Sequence, residues 1–268
     1  MEKLYVFGTG NAQATRCYNT CFAIRDEDEY FMVDAGGGNG ILRVLEDMDV
    51  DLCHIHNIFV THEHSDHVKG LRVFAARHKI DVYASAGTLQ ALDEAQVLNG
   101  KFYAGVMPEG GMEAGSLFVR PFPISHDCRE GFGYVVELPG ERRVAVATDM
   151  GVMTDAVMQA ISGCDLVVLE SNHDVRMLEN GPYPYPLKRR ILSDRGHLSN
   201  DACACVLEQL VSCGSTRFCL AHLSKENNNP YLARQTAVAA LSELGAREGR
   251  DYALQVAEPV CSAPVTVF

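Results

Sequence analysis

The sequence has no apolar run near the roughly 18 residues that a membrane-spanning helix needs. Its first ten residues, MEKLYVFGTG, carry no basic stretch followed by a long apolar one. They read as a first strand rather than a signal peptide. Both absences point to a cytoplasmic protein with no membrane partner. None of the ten cysteines forms a C-x-x-C pair. In a cytosolic chain, Cys203, Cys205, Cys213 and Cys219 are most simply small reduced residues of a helix and the strand after it. A disulfide or thiolate-zinc role is the lesser alternative. Positive charge is short, with 23 Lys and Arg against 35 Asp and Glu and a net charge of −12. Alone, that balance argues against a protein whose main business is binding polyanions. No linker or low-complexity segment appears either, so residues 1–268 are read as one domain.

What is present is an alternation of short apolar runs and helical patterns, which favours an α/β architecture. YFMVDAG, HNIFVTH and DVYAS read as strands, and HVKGLRVFAARHK as one helix with Val68, Leu71 and Ala75 on a face. GYVVEL and RRVAVATD flank PGE and predict a hairpin. Helices are expected from Thr154 to Gly163, from Ser199 to Gly214, and from Pro230 onward. Strands are expected at CDLVVLES and TRFCLAH. The stretch LENGPYPYPLKRR, residues 178–190, holds three prolines and is expected to be a rigid loop without helix or central strand.

One segment stands apart. VTHEHSDHVKG places His62, His64, Asp66 and His67 immediately after an apolar run. Residues just past a strand's carboxyl end fall where α/β active sites usually lie. A strand and a turn would let His62 and His64 point the same way, with Asp66 and His67 opening the next helix. A lone histidine there would be a satisfied polar residue. Three histidines and an aspartate spaced H-x-H-x-D-H point to metal binding. His126 after RPFPIS, Asp149 after RVAVAT and His222 after RFCLA repeat the pattern of a ligand-competent residue ending an apolar strand. Such residues often only make hydrogen bonds, but the recurrence suggests one shared cleft.

THEHSDH together with His126, Asp149 and His222 resembles the metallo-β-lactamase superfamily. The resemblance runs over essentially the whole chain. It implies an α/β, four-layer αββα sandwich of two mixed sheets with helices on the outer faces. It also implies that His62, His64 and His126 bind one divalent ion and that Asp66, His67 and His222 bind a second. Asp149 would bridge them, and Asp66 would also belong to the catalytic set. Imidazole and carboxylate donors suit Zn²⁺ or Mn²⁺, and Fe²⁺ as well. Two ions can hold a bridging hydroxide and clamp both the attacking and leaving oxygens.

Fold does not set the substrate. LESNHD supplies Glu170 and His173, and SDRGHLSND supplies His197, much as in the RNase Z-like branch of the superfamily. That likeness implies that His197 contacts the scissile phosphate and that Glu170 orients it. The alternative for His197 is a neighbour of a helix cap. THEHSDHVKGL, FPISHD, ATDMG, LESNHDVRML, LKRRILSDRGHLSN and LAHLSKENNNP together resemble the YycJ/WalJ (VicX) group, compact bacterial members regarded as 5′-to-3′ DNA exonucleases. The short interval from Asp149 to His222 agrees, leaving little room for the β-CASP insert of larger nucleases.

The charge objection then has a local answer. Lys188, Arg189, Arg190 and Arg195 cluster between Glu170 and His197, and Lys225 follows His222 beside Asn227, Asn228 and Asn229. Arg190 and Lys225, with His197 and with Asn19 from the early loop GTGNAQATRCYNTCF, are candidate contacts to DNA 5′ ends. A solvated basic loop is the plainer alternative. His54, His56 and His78 read as bystanders, and His173 as either a supporting or a cleft residue. The expected activity is phosphodiester hydrolysis. The rivals are a small-molecule hydrolase of the glyoxalase II or lactonase kind, and a non-catalytic regulatory protein retaining the metal site.

Overall fold

The computed structural model describes residues 3–8, 20–38 and 40–257, together with the backbone of 266–267. Among these residues no helix is long and apolar enough to cross a membrane. The chain divides into two compact units.

The first unit comprises Met1–Pro121, Cys128–Phe132 and Glu258–Phe268. Strands β1 (Lys3–Gly8), β2 (Cys21–Asp26) and β3 (Glu29–Val33) form an antiparallel meander. Then β4 (Ile55–Phe59), β5 (Asp81–Ala84) and β6 (Ala104–Val106) add in parallel. Parallel neighbours need crossovers. These are supplied by α1 (Gly40–Asp47) before β4, by α2 (Ser65–Val68) and α3 (Phe74–His78) before β5, and by α4 (Ala86–Glu94) before β6. Phe7, Met32, Ile41, Leu45, Ile58 and Phe74 are fully buried in its core.

The single helix expected over HVKGLRVFAARHK is two short ones, because the chain turns at Gly70. The Gly70 N–H donates to the Gly36 carbonyl at 2.9 Å. A Cβ there would lie 2.0 Å from the Ala35 carbonyl oxygen. The backbone comes too close to the 34–36 loop for a continuous helix to pass.

After the short strand β7 (Met112–Ala114) and along β8 (Leu117–Ile124) the chain enters the second unit, Phe122–Asp127 and Gly133–Ala257. The second sheet runs β13-β12-β11-β10-β9-β8-β7. β9 (Gly131–Glu137) and β10 (Arg143–Ala147) form the expected hairpin. β11 (Leu166–Glu170), β12 (Arg217–Ala221) and β13 (Ala253–Val256) continue in parallel. Five helices intervene: α5 (Asp155–Ile161), α6 (Val175–Asn180), α7 (Tyr185–Ile191), α8 (Asn200–Ser212) and α9 (Pro230–Glu243). Side chains of Thr154, Ser199 and Asn229 cap α5, α8 and α9 by accepting from the backbone N–H group three residues on. Remaining β14 (Thr266–Val267) pairs with β1 in the first sheet. Two mixed sheets with helices bear out the α/β reading.

The expectation of a helix-free loop over 178–190 fails. α6 ends within it and α7 begins within it, at Tyr185. Pro184 sits at the cap and Pro186 in the first turn. First-turn N–H groups have no intrahelical partner, so proline costs nothing there.

Candidate metal centre

In the first unit β4 ends at Phe59 and the chain runs through Val60 and Thr61 into His62. Three buried residues anchor this exit. Asp34, fully buried at the end of β3, accepts from the Thr61 N–H at 2.8 Å and from the Thr61 hydroxyl at 2.9 Å. It also meets Nδ1 of His67 at 2.7 Å. Nδ1 of His62 lies 3.0 Å from the Thr61 hydroxyl oxygen. That hydroxyl's one proton goes to Asp34, so the imidazole is the donor. Both rings therefore carry their proton on Nδ1 and present Nε2. Burial pushes the Asp34 carboxyl up, opposed by His67 and Thr61.

His64 is the extended residue before α2, and Asp66 and His67 lie in that single turn. The His62 ring centroid is 4.5 Å from that of His64 and 4.2 Å from that of His67. Asp66 Oδ2 is 3.8 Å from His67 Nε2. Four ligand-competent side chains are thus gathered at one strand end.

In the second unit the donors come from separate strand ends. The in-register parallel pairing of β10, β11 and β12 matches Ala147 with Leu169 and Glu170 with Ala221. Asp149, Glu170 and His222 therefore emerge side by side. Asp149 and His222 have φ of 62° and 58°, and Asp34 in the first unit has 60°. Left-handed backbone is uncommon outside glycine and clusters where geometry serves function.

Glu170, fully buried, holds this cluster together. Its Oε1 meets Nδ1 of His222 at 2.7 Å and Nδ1 of His197 at 2.9 Å. Its Oε2 accepts the backbone N–H groups of Met150 and Leu198, each at 3.0 Å. Burial alone would raise its pKa, but the two histidines, chiefly His197, hold the carboxyl well below the usual carboxylate range. Asp149 Oδ1 is 3.3 Å from His222 Nδ1 and 3.9 Å from His197 Nδ1. Asp149, Glu170, His197 and His222 offer donor atoms within 4.8 Å of one another. The Nδ1 protons facing Glu170 make this a hydrogen-bonded array rather than a four-ligand cage. It leaves Nε2 of His222 and His197 facing away from Glu170.

His126, buried at the end of β8, directs Nδ1 to the Gly196 carbonyl at 3.0 Å, and its Nε2 lies 3.3 Å from Asp127 Oδ1. Its ring centroid is 5.0 Å from that of His197. Arg195 Nε donates to the His126 carbonyl at 3.0 Å. A Cβ on Gly196 would collide with the Ile191 and Arg190 carbonyl oxygens, so this loop closes only with glycine.

A second set of supports escaped the sequence reading. Asn172 Nδ2 donates to the His222 carbonyl at 2.8 Å, and its own N–H donates to the Leu198 carbonyl at 2.9 Å. Ser171, Asn200 and Asn228 join in a buried network that ties the end of β11 to the start of α8 and to the loop after His222. Asn227 and Asn228, which stand beside Lys225 in the sequence, are 0% and 5% exposed and bind backbone and side chains within the fold. Asp34 had a usable signal: it ends an apolar strand as Asp149 does.

The predicted DNA contacts divide. Asn19 lies outside the described residues. Lys225 is exposed just after the His222 segment. Arg190 forms a two-pronged ion pair with Asp127, so its charge is already balanced. His54 and His56 are surface residues beside Asp51 and Glu29. His173 is buried, and neither ring nitrogen has a hydrogen-bond partner. Burial holds its pKa down at about 4.

The donor set fits divalent ions such as Zn²⁺, Mn²⁺ or Fe²⁺. Four of its imidazoles, those of His62, His67, His126 and His222, have Nδ1 against an oxygen, which is how metal-ligating histidines are normally oriented, and carboxylates complete the set. All eight described cysteines are free and none takes part.

The family model for the beta-lactamase superfamily domain matches residues 31–223. Exodeoxyribonuclease YycJ of Bacillus anthracis is 34% identical over 238 residues, covering 87% of this chain and 89% of that protein. Exodeoxyribonuclease WalJ of Streptococcus pneumoniae is 32% identical over 250 residues, covering 91% and 92%. Among solved structures, Zn²⁺-bound PqqB from Methylobacterium extorquens superposes with a TM-score of 0.74 at 15% identity over the whole of both chains, a likeness of fold. The chain belongs to the beta-lactamase superfamily, in the group that holds YycJ and WalJ.

Proposed function

We propose that the chain is a 5′-to-3′ DNA exonuclease with a dinuclear metal centre, working as one domain in the cytoplasm. At the coarser level it is a metal-dependent hydrolase of phosphodiester bonds. His62, His64 and His126 would hold one ion, and Asp66, His67 and His222 the other. Asp149 would serve both. The free state of the described cysteines supports a reducing compartment. Divalent ions held there would acidify a water molecule and neutralise charge growing on the phosphoryl oxygens.

The observation that carries the reading is the shared carboxylate of Glu170. One oxygen binds Nδ1 of both His222, a ligand candidate, and His197, whose side chain is 16% exposed. The pairing fixes His197 so that Nε2 faces the reacting phosphate. In its imidazolium form His197 carries an Nε2 proton that it can hand to the leaving 3′ oxygen, with Glu170 balancing the charge. Held in the same pose, it stabilises charge on the phosphoryl group. Asp66 completes the set through its metal role, and Lys225 is the exposed cation left to meet substrate phosphates beside the His222 segment.

The test is turnover by the purified protein with Mn²⁺ and with Zn²⁺. The substrates are 5′-phosphorylated duplex DNA, single-stranded DNA, RNA and a generic thioester. The proposal expects metal-dependent release of nucleotides from DNA 5′ ends. Cleavage of the thioester alone would sink it.

A further inference from the structure

The outward face of α7 has no role in the mechanism above. Tyr185 opens this helix and is 72% exposed. It stands between Pro184 and Pro186, whose fixed φ angles leave its backbone little freedom. An aromatic ring presented on a rigid backbone has less to lose when something stacks on it. One helical turn on, Arg189 lies on the same face. It is exposed and has no ion pair among the described residues. Three other residues of the helix are engaged with the fold. Ile191 is buried, Arg190 grips Asp127, and Lys188 donates to the Glu179 carbonyl at 2.8 Å.

α7 is mounted on the loop that carries His197. The His197 N–H donates to the Ile191 carbonyl at 3.0 Å. At the helical rise per residue, Tyr185 stands about 9 Å along the axis from that carbonyl. A comparison inside the same unit sharpens the point. Tyr231 in the first turn of α9 is 74% exposed, but the arginine one turn away, Arg234, is held by both oxygens of Glu248. Exposed tyrosines standing singly are ordinary. Tyr185 differs in having an unpaired guanidinium beside it on a helix that supports the catalytic loop.

We propose that this face of α7 binds single-stranded nucleic acid, with one base stacked on Tyr185 and an adjoining phosphate on Arg189. The proposal rests on the nucleic-acid reading above and adds to it a preference for an unpaired stretch. A duplex keeps its base faces stacked inside, whereas an unpaired base offers a face to an aromatic ring whatever its sequence. With a net charge of −12, attachment is confined to places where a cation is left unpaired, and α7 has one.

The sequence contains no tryptophan. Tyr185→Trp therefore installs a lone fluorophore at the site, and Tyr231→Trp installs one at a control position. Each is titrated with a short phosphorothioate oligothymidylate, which resists cleavage. Quenching is expected for Tyr185→Trp and not for Tyr231→Trp. Tyr185→Ala should weaken oligomer binding by at least about fivefold. Arg189→Ala should reduce the slope of log affinity against log salt by about 0.7. Binding to a blunt hairpin duplex should change in neither. If the native protein cleaves DNA but both α7 variants bind the oligomer as it does, this proposal is overturned and the nuclease reading stands. If quenching occurs without DNA cleavage, the surface stands and the nuclease reading fails. If Tyr185→Ala leaves oligomer binding intact and instead dissolves a dimer seen by sedimentation, the face belongs to a second copy of the chain and the proposal is wrong.

Discussion

In the first unit, four ligand side chains come from one short stretch, His62 to His67, shaped by one strand end and one helical turn. In the second, His126, Asp149, Glu170, His197 and His222 arrive from separate strand ends and loops. The first cluster leans on one outside carboxylate, Asp34. The second leans on the register of three parallel strands, on Glu170 with its four donors, and on a buried asparagine network. A crowded cluster can be oriented locally. A dispersed one is only as precise as the packing that joins its parts.

The sharpest break in that comparison is His197→Ala. Its Nδ1 is held by Glu170 and its Nε2 is assigned to substrate, so it should lower kcat by about 10²–10⁴-fold. Metal content, measured by mass spectrometry, should stay at the native level. Normal DNA turnover by this variant would remove His197 from the mechanism.

Next come the two anchors. Asp34→Asn leaves His67 and Thr61 without their carboxylate partner and should weaken metal binding by about 10–100-fold. Saturating metal should then restore most of the kcat, because the His197 cluster is untouched. Glu170→Gln should lose a similar factor in metal affinity through His222. Saturating metal should not rescue its kcat, because His197 loses its anchor too. Equal rescue of both variants would contradict the division of labour between the clusters.

A third effect is a pH dependence of stability carried by His173. Its folded pKa, about 4, lies below the ordinary 6.5. The native state therefore favours the neutral ring, and the stability this group contributes is complete above 6.5. It is lost as the pH falls from 6.5 toward 4, because the unfolded chain takes up the proton first. The loss approaches about 3 kcal/mol. Denaturant melts across that window should be flatter for His173→Gln than for the native chain. A parallel pair of curves would assign the acid sensitivity elsewhere. The smallest effect is Gly70→Ala, where the new methyl meets the Ala35 carbonyl oxygen. It should cost about 1–3 kcal/mol of stability and lower the Tm.

The same contrast explains what the sequence made legible. His62, His64, Asp66 and His67 announce themselves because coincidence is improbable over so short a span. His126, Asp149 and His222 each look like an ordinary polar residue after a strand, and resemblance picks them out. Asp34 has the same outward form and carried no such prompt. The break in the helix at Gly70 depends on how closely another loop approaches, which no periodicity encodes. α7 is hidden because three prolines read as exclusion, although Pro182 precedes the helix and its cap and first turn tolerate Pro184 and Pro186. Arg190 looked available for phosphate because its partner, Asp127, is far away in sequence and close only in the fold. Local chemistry was readable; tertiary partnership was not.

The proposed function requires two divalent ions per chain. The most direct measurement is the number of ions per chain, by plasma mass spectrometry, in the native protein and in His222→Ala. Two ions per native chain and about one in the variant are expected, with the proposed His62, His64 and His126 set still loaded. A single ion in the native protein, or an unchanged count on removing His222, would contradict it.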